Sequence, residues 1–292
     1  AMSSFTPTTA TASSSNKRIS PLDLFKNNSS NDNKKYLNVC APMVRYNLTY
    51  TPMILAKEFQ NSAIARDFDF TTNFNDTPLI MQFASNNNKE LVNAVELVYG
   101  YVDGIDINCG CPQKWAINEG IGVYLMEKPE IVRNLVKSIK NFCNIPCSIK
   151  IRIHNDLRKT LDFVKSAESI GLDFITVHGR TRKQKSSDPV NLEAIKLIKQ
   201  DLQIPVIANG GIFTLKDAEE FYQSTKVDGV MSARGLLRNP TLFANNGDGK
   251  GYSSWECIEK FYVMSNAERK TFNTLTSIPA ILNHLETHYG LN

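Results

Sequence analysis

Between residues 37 and 235, short apolar, β-branched runs alternate with stretches in which apolar residues return every three or four positions. The runs are LNVCAPMV (37–44), LTYTPMI (48–54), PLIMQFA (78–84), VDGIDIN (102–108), CSIKIRI (147–153), DFITVHG (173–179), IPVIANGG (204–211) and VDGVMSARG (227–235). Near-continuous apolar strands predict burial on both faces. The amphipathic stretches between them, such as KELVNAVELVYG and TLKDAEEFYQST, predict helices that cover the sheet. Eight strand–helix units predict an α/β protein built as a (β/α)8 TIM barrel. An open doubly wound sheet would carry a glycine-rich turn after its first strand, where VCAPMVRY has none.

Boundary chemistry agrees with this reading. Gly171 stands where a helix should close in a left-handed conformation, and Thr214 with Asp217 forms a candidate capping box before LKDAEEF. One join breaks the rule. Between APMVRY and TYTPM only Asn47 and Leu48 remain, whereas a parallel crossover takes a dozen or more residues. Either the first helix of the barrel is missing, or one of the two runs is not a parallel barrel strand.

Residues 1–36 are polar tracts around one short apolar patch, ISPLDLF, and are expected to form a disordered polar tail. The barrel is expected over 37–243. A small helical extension over 244–292 follows, from WECIEKFY and RKTFNTLTSIPAILNHLETHYG.

Composition narrows the function classes. Of 292 residues, 42% are hydrophobic and 21% charged, as in an ordinary soluble globular chain. No uninterrupted apolar run is long enough to span a membrane, and no basic-then-apolar leader opens the chain. Lys and Arg number 33 against 29 Asp and Glu, and this net +4 permits a polyanionic partner without demanding one. Six scattered cysteines read as reduced thiols of a cytoplasmic protein, with the nucleus as a second compartment. Mitochondrial import is the lesser expectation, because the Ser-rich start lacks Arg-rich amphipathic character. Neither Cys109-x-Cys111 nor Cys143-x3-Cys147 has a common zinc spacing, so no metal site is expected.

Barrel enzymes of this type carry their chemistry at the C-terminal strand ends. Those ends hold Pro42 and Met43, Pro52 and Met53, Gln82, Asn108 leading into Cys111, Lys150 with Arg152, His178 with Arg180, Asn209 with Gly210 and Gly211, and Ala233 with Arg234 and Gly235. The loops after the seventh and eighth strands often hold a phosphate, and NGG and ARG fall there. Glycines that merely turn the chain are the alternative. Lys150 alternates with Ile149 and Ile151, so it points inward and calls for an anion, unless it is a solvated surface lysine. Gln82 lies inside an apolar run and needs a partner, which a heteroaromatic ring edge supplies. Cys111 opens a loop on the site face as a candidate nucleophile or general acid, while Cys109 points away into packing. The basic run RTRKQK (180–185) is either a solvated loop or a contact for substrate phosphates.

APM, MQF, DINCGCPQ, SIKIR, TVHGRT, PVIANG and ARGLLRNP stand here in the order and near the spacing of the flavin-dependent tRNA-dihydrouridine synthases. The resemblance covers roughly residues 38–245. DINCGCPQKWA with IKIRIH resembles the eukaryotic branch acting at positions 20a and 20b of the tRNA D-loop. It implies FMN over the barrel mouth, NADPH as reductant and tRNA as substrate and partner. Pro42, Met43, Gln82, Asn108, Lys150 and His178 would hold the ring and ribityl parts, and Asn209, Gly210, Gly211, Ala233 and Arg234 the phosphate. Arg152, Arg180 and Arg182 would meet the RNA. Hydride would pass from flavin N5 to uracil C6 while Cys111 protonates C5.

The sequence departs from the family in four places. The first crossover helix is absent, Trp115 replaces a lysine common in bacterial members, Gly211 replaces an aspartate, and the C-terminal helical domain is shortened around residues 261–267. A monomeric enzyme is expected. The alternatives are an FMN barrel reducing a free pyrimidine or an activated alkene, and a non-catalytic RNA-binding barrel.

Overall fold

The computed structural model describes residues 18–29, 36–40, 48–73, 76–239 and 242–243. The chain divides into two compact units, Ala1–Leu237 and Arg238–Asn292. Almost all described residues belong to the first, and the helices expected past residue 244 lie outside them.

Among the described residues, nine strands form the sheet: β1 (Leu37–Cys40), β2 (Leu48–Tyr50), β3 (Ile54–Leu55), β4 (Leu79–Ala84), β5 (Gly104–Cys109), β6 (Cys147–Ile153), β7 (Phe174–Thr181), β8 (Val206–Asn209) and β9 (Gly229–Ser232). All pairings are parallel. The order β2-β1-β9-β8-β7-β6-β5-β4 is closed by β2 pairing with β4, so eight strands form a ring and β3 adds beside β4. This is the (β/α)8 barrel expected from the periodicity. Helices α1 (Pro21–Ser29) to α10 (Arg234–Arg238) include the covering helices α4 (Asn88–Glu96), α6 (Pro129–Phe142), α7 (Leu157–Glu168), α8 (Leu192–Asp201) and α9 (Leu215–Thr225). The last four of these each bury one apolar stripe, such as Val132, Leu135, Val136 and Ile139 of α6. The expected capping box of Thr214 and Asp217 starts α9, and Gly171 takes φ +90. Among the described residues, no helix is long and apolar enough to cross a membrane.

Several expectations change. The second run is broken into β2 and β3 around Pro52, which has no N–H for the ladder. There the Thr51 hydroxyl accepts the Gln82 N–H at 3.0 Å and donates to the Pro52 carbonyl at 2.9 Å. β1 and β2 pair in parallel, Val39 opposite Leu48 and Cys40 opposite Thr49, so both are barrel strands. Only seven residues, 41–47, join them, which leaves the missing first crossover as the explanation. Residues 233–235 of the eighth run are not strand, because α10 begins at Arg234.

Within the stretch expected to be a disordered tail, residues 18–29 are ordered. Arg18 clasps the buried carboxylate of Asp103 through Nε at 2.8 Å and Nη2 at 3.1 Å, and Asp103 also accepts the Leu79 N–H at 2.7 Å. Helix α1 then lays Phe25 against Phe174, ring centroids 5.5 Å apart, in a cluster with Leu37, Val39, Leu48, Ile80 and Ile207. Leu37, Leu48 and Phe174 begin their strands and Ile80 and Ile207 stand second, so α1 covers the N-terminal end of the barrel. Local composition hides this because Leu22, Leu24 and Phe25 find apolar surface only after the barrel has formed. Truncating Phe25 to alanine should cost about 3 to 5 kcal/mol, read as a lower denaturant midpoint at unchanged slope.

Candidate active site

Side chains alternate along a strand, so residues two apart share a face. That rule puts Ser148, Lys150 and Arg152 of β6 on one side, and Thr176, His178 and Arg180 of β7 likewise. Asp106 and Asn108 of β5 and Asn209 of β8 complete the inward set. Register sets their heights: Gln82 lies opposite Asp106, Asn108 opposite Lys150, and His178 opposite Asn209. Above the apolar floor comes a polar layer of Tyr50, Asp106, Ser148 and Thr176, and above that the groups at the mouth.

The polar layer is tightly paired. Asp106 is fully buried, accepting Ser148 Oγ at 2.6 Å and Gln82 Nε2 at 2.8 Å. Gln82 Oε1 accepts Asn108 Nδ2 at 2.8 Å, and Asn108 Oδ1 accepts the N–H groups of Gly110 at 3.1 Å and Cys111 at 2.9 Å. Burial raises the Asp106 carboxyl to about 6, against the lowering effect of its two hydrogen bonds and of the Lys150 charge. Lys150 donates to Asn209 Oδ1 at 3.0 Å, and Asn209 Nδ2 donates to the Met231 carbonyl at 2.8 Å.

The mouth is rich in cations. Burial lowers Lys150 to about 8, with Asp106 pulling it up and Arg152 pushing it down. His178 falls to about 2 through burial and the charges of Lys150, Arg152, Arg180 and Arg234. It is therefore neutral at ordinary pH. An arginine can only donate, so the contact of 3.1 Å between Arg180 Nη1 and His178 Nε2 makes Nε2 the acceptor and leaves the proton on Nδ1. Arg152 braces the site through Nε to the Gly110 carbonyl at 3.0 Å and Nη1 to the Thr181 carbonyl at 2.9 Å, and Arg180 Nε donates to the Asp188 carbonyl at 2.6 Å.

Two further features complete the site. Cys111 is half-buried beside Met53, Leu55, Ala84, Ala116 and Ile121, and its carbonyl accepts the Val123 N–H at 2.9 Å. After β8, Gly210 and Gly211 take φ +118 and +74, conformations open to glycine at little cost. They line an open pocket with Arg180, Ser186, Val190 and Arg234. Arg234 stacks on Phe213 at 5.2 Å and donates to the Ser186 carbonyl at 3.3 Å.

The structure therefore brings Gln82, Asn108, Lys150, His178 and Asn209 together on the inner wall, and Lys150 and His178 share one side. Cys111, Arg152 and Arg180 adjoin them, with Gly210, Gly211, Ala233 and Arg234 at the ends of β8 and β9. Arg182 is exposed in the turn beyond β7. Pro42 and Met43 lie outside the described residues. Sequence reasoning missed Asp106, Ser148, Thr176 and Thr51. The same parity that turned Lys150 inward would have found Asp106 two residues before Asn108.

The mouth fits an anionic, flat, polar ligand such as FMN. Four cationic side chains act on His178, Gly210 and Gly211 line the adjoining pocket, and amides line the wall.

A family profile described as dihydrouridine synthase (Dus) matches residues 31–290. A human protein named tRNA-dihydrouridine(20a/20b) synthase [NAD(P)+]-like is 42% identical, with 94% of this chain and 96% of that protein covered. The matched stretch, 311 positions, exceeds the chain's own length, so the human protein has positions that this chain lacks. The Schizosaccharomyces pombe tRNA-dihydrouridine(20a/20b) synthase [NAD(P)+] is 44% identical over 89% of this chain and 81% of its own. A mouse protein named tRNA-dihydrouridine(16/17) synthase [NAD(P)(+)]-like is 36% identical over 73% of this chain and 45% of its own. With the profile covering most of its length, the chain belongs to the dihydrouridine synthase family.

Proposed function

We propose that this chain reduces the C5–C6 double bond of uridine in the tRNA D-loop, at U20a and U20b, using FMN and NADPH. The observation that carries this reading is a cation-rich, amide-lined mouth beside a half-buried thiol on a loop held by Asn108. Gln82, Asn108, Lys150 and His178, with Pro42 and Met43, would hold the ring and ribityl parts. Asn209, Gly210, Gly211, Ala233 and Arg234 would hold the phosphate. Bound there, FMN supplies the hydride for uracil C6 and NADPH renews it.

The chain's own residues do the rest. The uracil must leave the tRNA stack to reach the wall. Cys111, as general acid, gives its thiol proton to C5, and its apolar neighbours keep competing water away. Neutral His178 donates from Nδ1, and Lys150 places positive charge in the wall. Arg152 and Arg180 already brace backbone carbonyls and add positive potential, while exposed Arg182 reaches RNA phosphates. One chain carries this whole set, so we assign the activity to the monomer.

The test is purified protein loaded with FMN and given NADPH and unmodified tRNA. Dihydrouridine at 20a or 20b is expected, and tRNA left unreduced by the loaded protein overturns the reading. Reduction of free uridine at the same rate would favour a small-molecule reductase instead. The exposed basic turn with Arg182, Lys183 and Lys185 argues for RNA.

Flavin affinity should depend on pH. An anion at the mouth favours protonated Lys150 and raises its pKa above the value near 8 of the free protein. Affinity is then constant below pH 8 and falls above it, by up to about tenfold per pH unit, until the pKa of the complex is passed. Fluorescence titrations between pH 7 and 10 read this directly, and Lys150→Met should flatten the profile.

A further inference from the structure

The polar layer contains a buried carboxylate that the proposed reaction does not use. The hydrogen bonds leading to it run in one direction only, donor to acceptor toward the carboxylate. The N–H groups of Gly110 and Cys111 can only donate, so Asn108 must present Oδ1 to them. That leaves Asn108 Nδ2 to donate to Gln82 Oε1, and Gln82 Nε2 must then find an acceptor. Asp106 Oδ2 is that acceptor, at 2.8 Å, while Asp106 Oδ1 takes the Ser148 hydroxyl. Every amide in the series is oriented from both ends, and all its members are buried or nearly so. An apolar side chain at 106 would leave Gln82 Nε2 without a partner, and the Gln82 amide could turn over, facing its Nε2 to Asn108 Nδ2, donor against donor.

We propose that Asp106 is a positioning residue for the proton-donating step. Through Gln82 and Asn108 it fixes the backbone of Gly110 and Cys111, and so the place from which the thiol acts. This rests on the proposed role of Cys111. A residue that merely filled the core would serve as well if apolar. A residue that acted only as a counter-charge for Lys150 would need its ionisation, but Lys150 bonds Asn209 and not Asp106. The relay needs an acceptor facing Gln82, and an asparagine meets that need by turning its carbonyl to Gln82 and its NH2 to the Ser148 oxygen.

The experiment compares Asp106→Val with Asp106→Asn. Hydrogen exchange at the Gly110 and Cys111 amides, read without tRNA, should quicken at least about tenfold in Asp106→Val and stay near wild type in Asp106→Asn. With saturating FMN, dihydrouridine formation in a single turnover should fall about tenfold in Asp106→Val. Asp106→Asn should recover most of that loss. In a Cys111→Ala background, Asp106→Val should add nothing further. Unchanged exchange at residues 110 and 111, an Asp106→Asn protein as impaired as Asp106→Val, or a full additional loss on Cys111→Ala would each overturn the proposal. Should Asp106→Val not fold, Gln82→Met breaks the same series at its middle link, and the exchange measurement decides. If the wild-type protein makes no dihydrouridine, the functional reading fails, and exchange still tests the relay by itself.

Discussion

Cys111→Ala is expected to lower dihydrouridine formation by at least about 100-fold, the lower end of what a positioned general acid contributes. Bound flavin should still be reduced by NADPH at the wild-type rate. The separation follows from where the thiol stands. Cys111 belongs to the loop after β5, held by Asn108 and Val123 and flanked by apolar side chains, while the groups assigned to the flavin line the inner wall. Removing the thiol would take away the proton proposed for C5 and leave the wall as it is. Stopped-flow absorbance reads the reductive half-reaction, and mass mapping of tRNA reads the product. A Cys111→Ala protein that forms dihydrouridine at the full rate would remove the thiol from the chemistry.

Gly235→Ala is expected to release the flavin without touching any polar group assigned to it. A Cβ at Gly235 would fall on the Ile212 carbonyl oxygen, with Ser232 Oγ at 2.6 Å and Phe213 Cα at 2.9 Å. Two of these are backbone atoms that cannot swing aside. The Ser232 hydroxyl donates to that same carbonyl at 2.8 Å and pins the loop after β8 to the end of β9. The methyl group forces the two apart, and with them Gly210 and Gly211 on one side and Arg234 on the other. Overpacking of this kind costs about 1 to 3 kcal/mol, and the proposed phosphate site widens. Flavin content after purification and the thermal midpoint should both fall. Gly100→Ala, where a Cβ meets nothing within 4 Å, is the matched control and should change neither. Full flavin content in Gly235→Ala would place the phosphate elsewhere.

The barrel was legible because its signal is local. Each strand is a run of Val, Ile and Leu, and each covering helix repeats every three or four residues. The inward direction of Lys150 came from parity alone, and His178 and Asn209 followed from standing at strand ends. What escaped depends on partners distant in sequence. Asp106 in VDGIDIN reads like any acid near a turn until Gln82, 24 residues away, and Ser148, 42 residues away, supply its bonds. Phe25 reads as part of a polar tail until Phe174 meets it. Arg152 and Arg180 read as contacts for RNA, and their hydrogen bonds to backbone carbonyls appear only when the loops after β5 and β7 lie side by side.

With Phe25 and its neighbours stoppering one end, the cylinder is a cup rather than a pipe. The Asp106 carboxylate is fully buried, with Gln82 and then Asn108 between it and the Cys111 loop, so a molecule seated at the brim would further insulate the layer beneath. Proton exchange by that layer is then slow whenever the brim is filled, and the orientation of its amides is preserved through turnover.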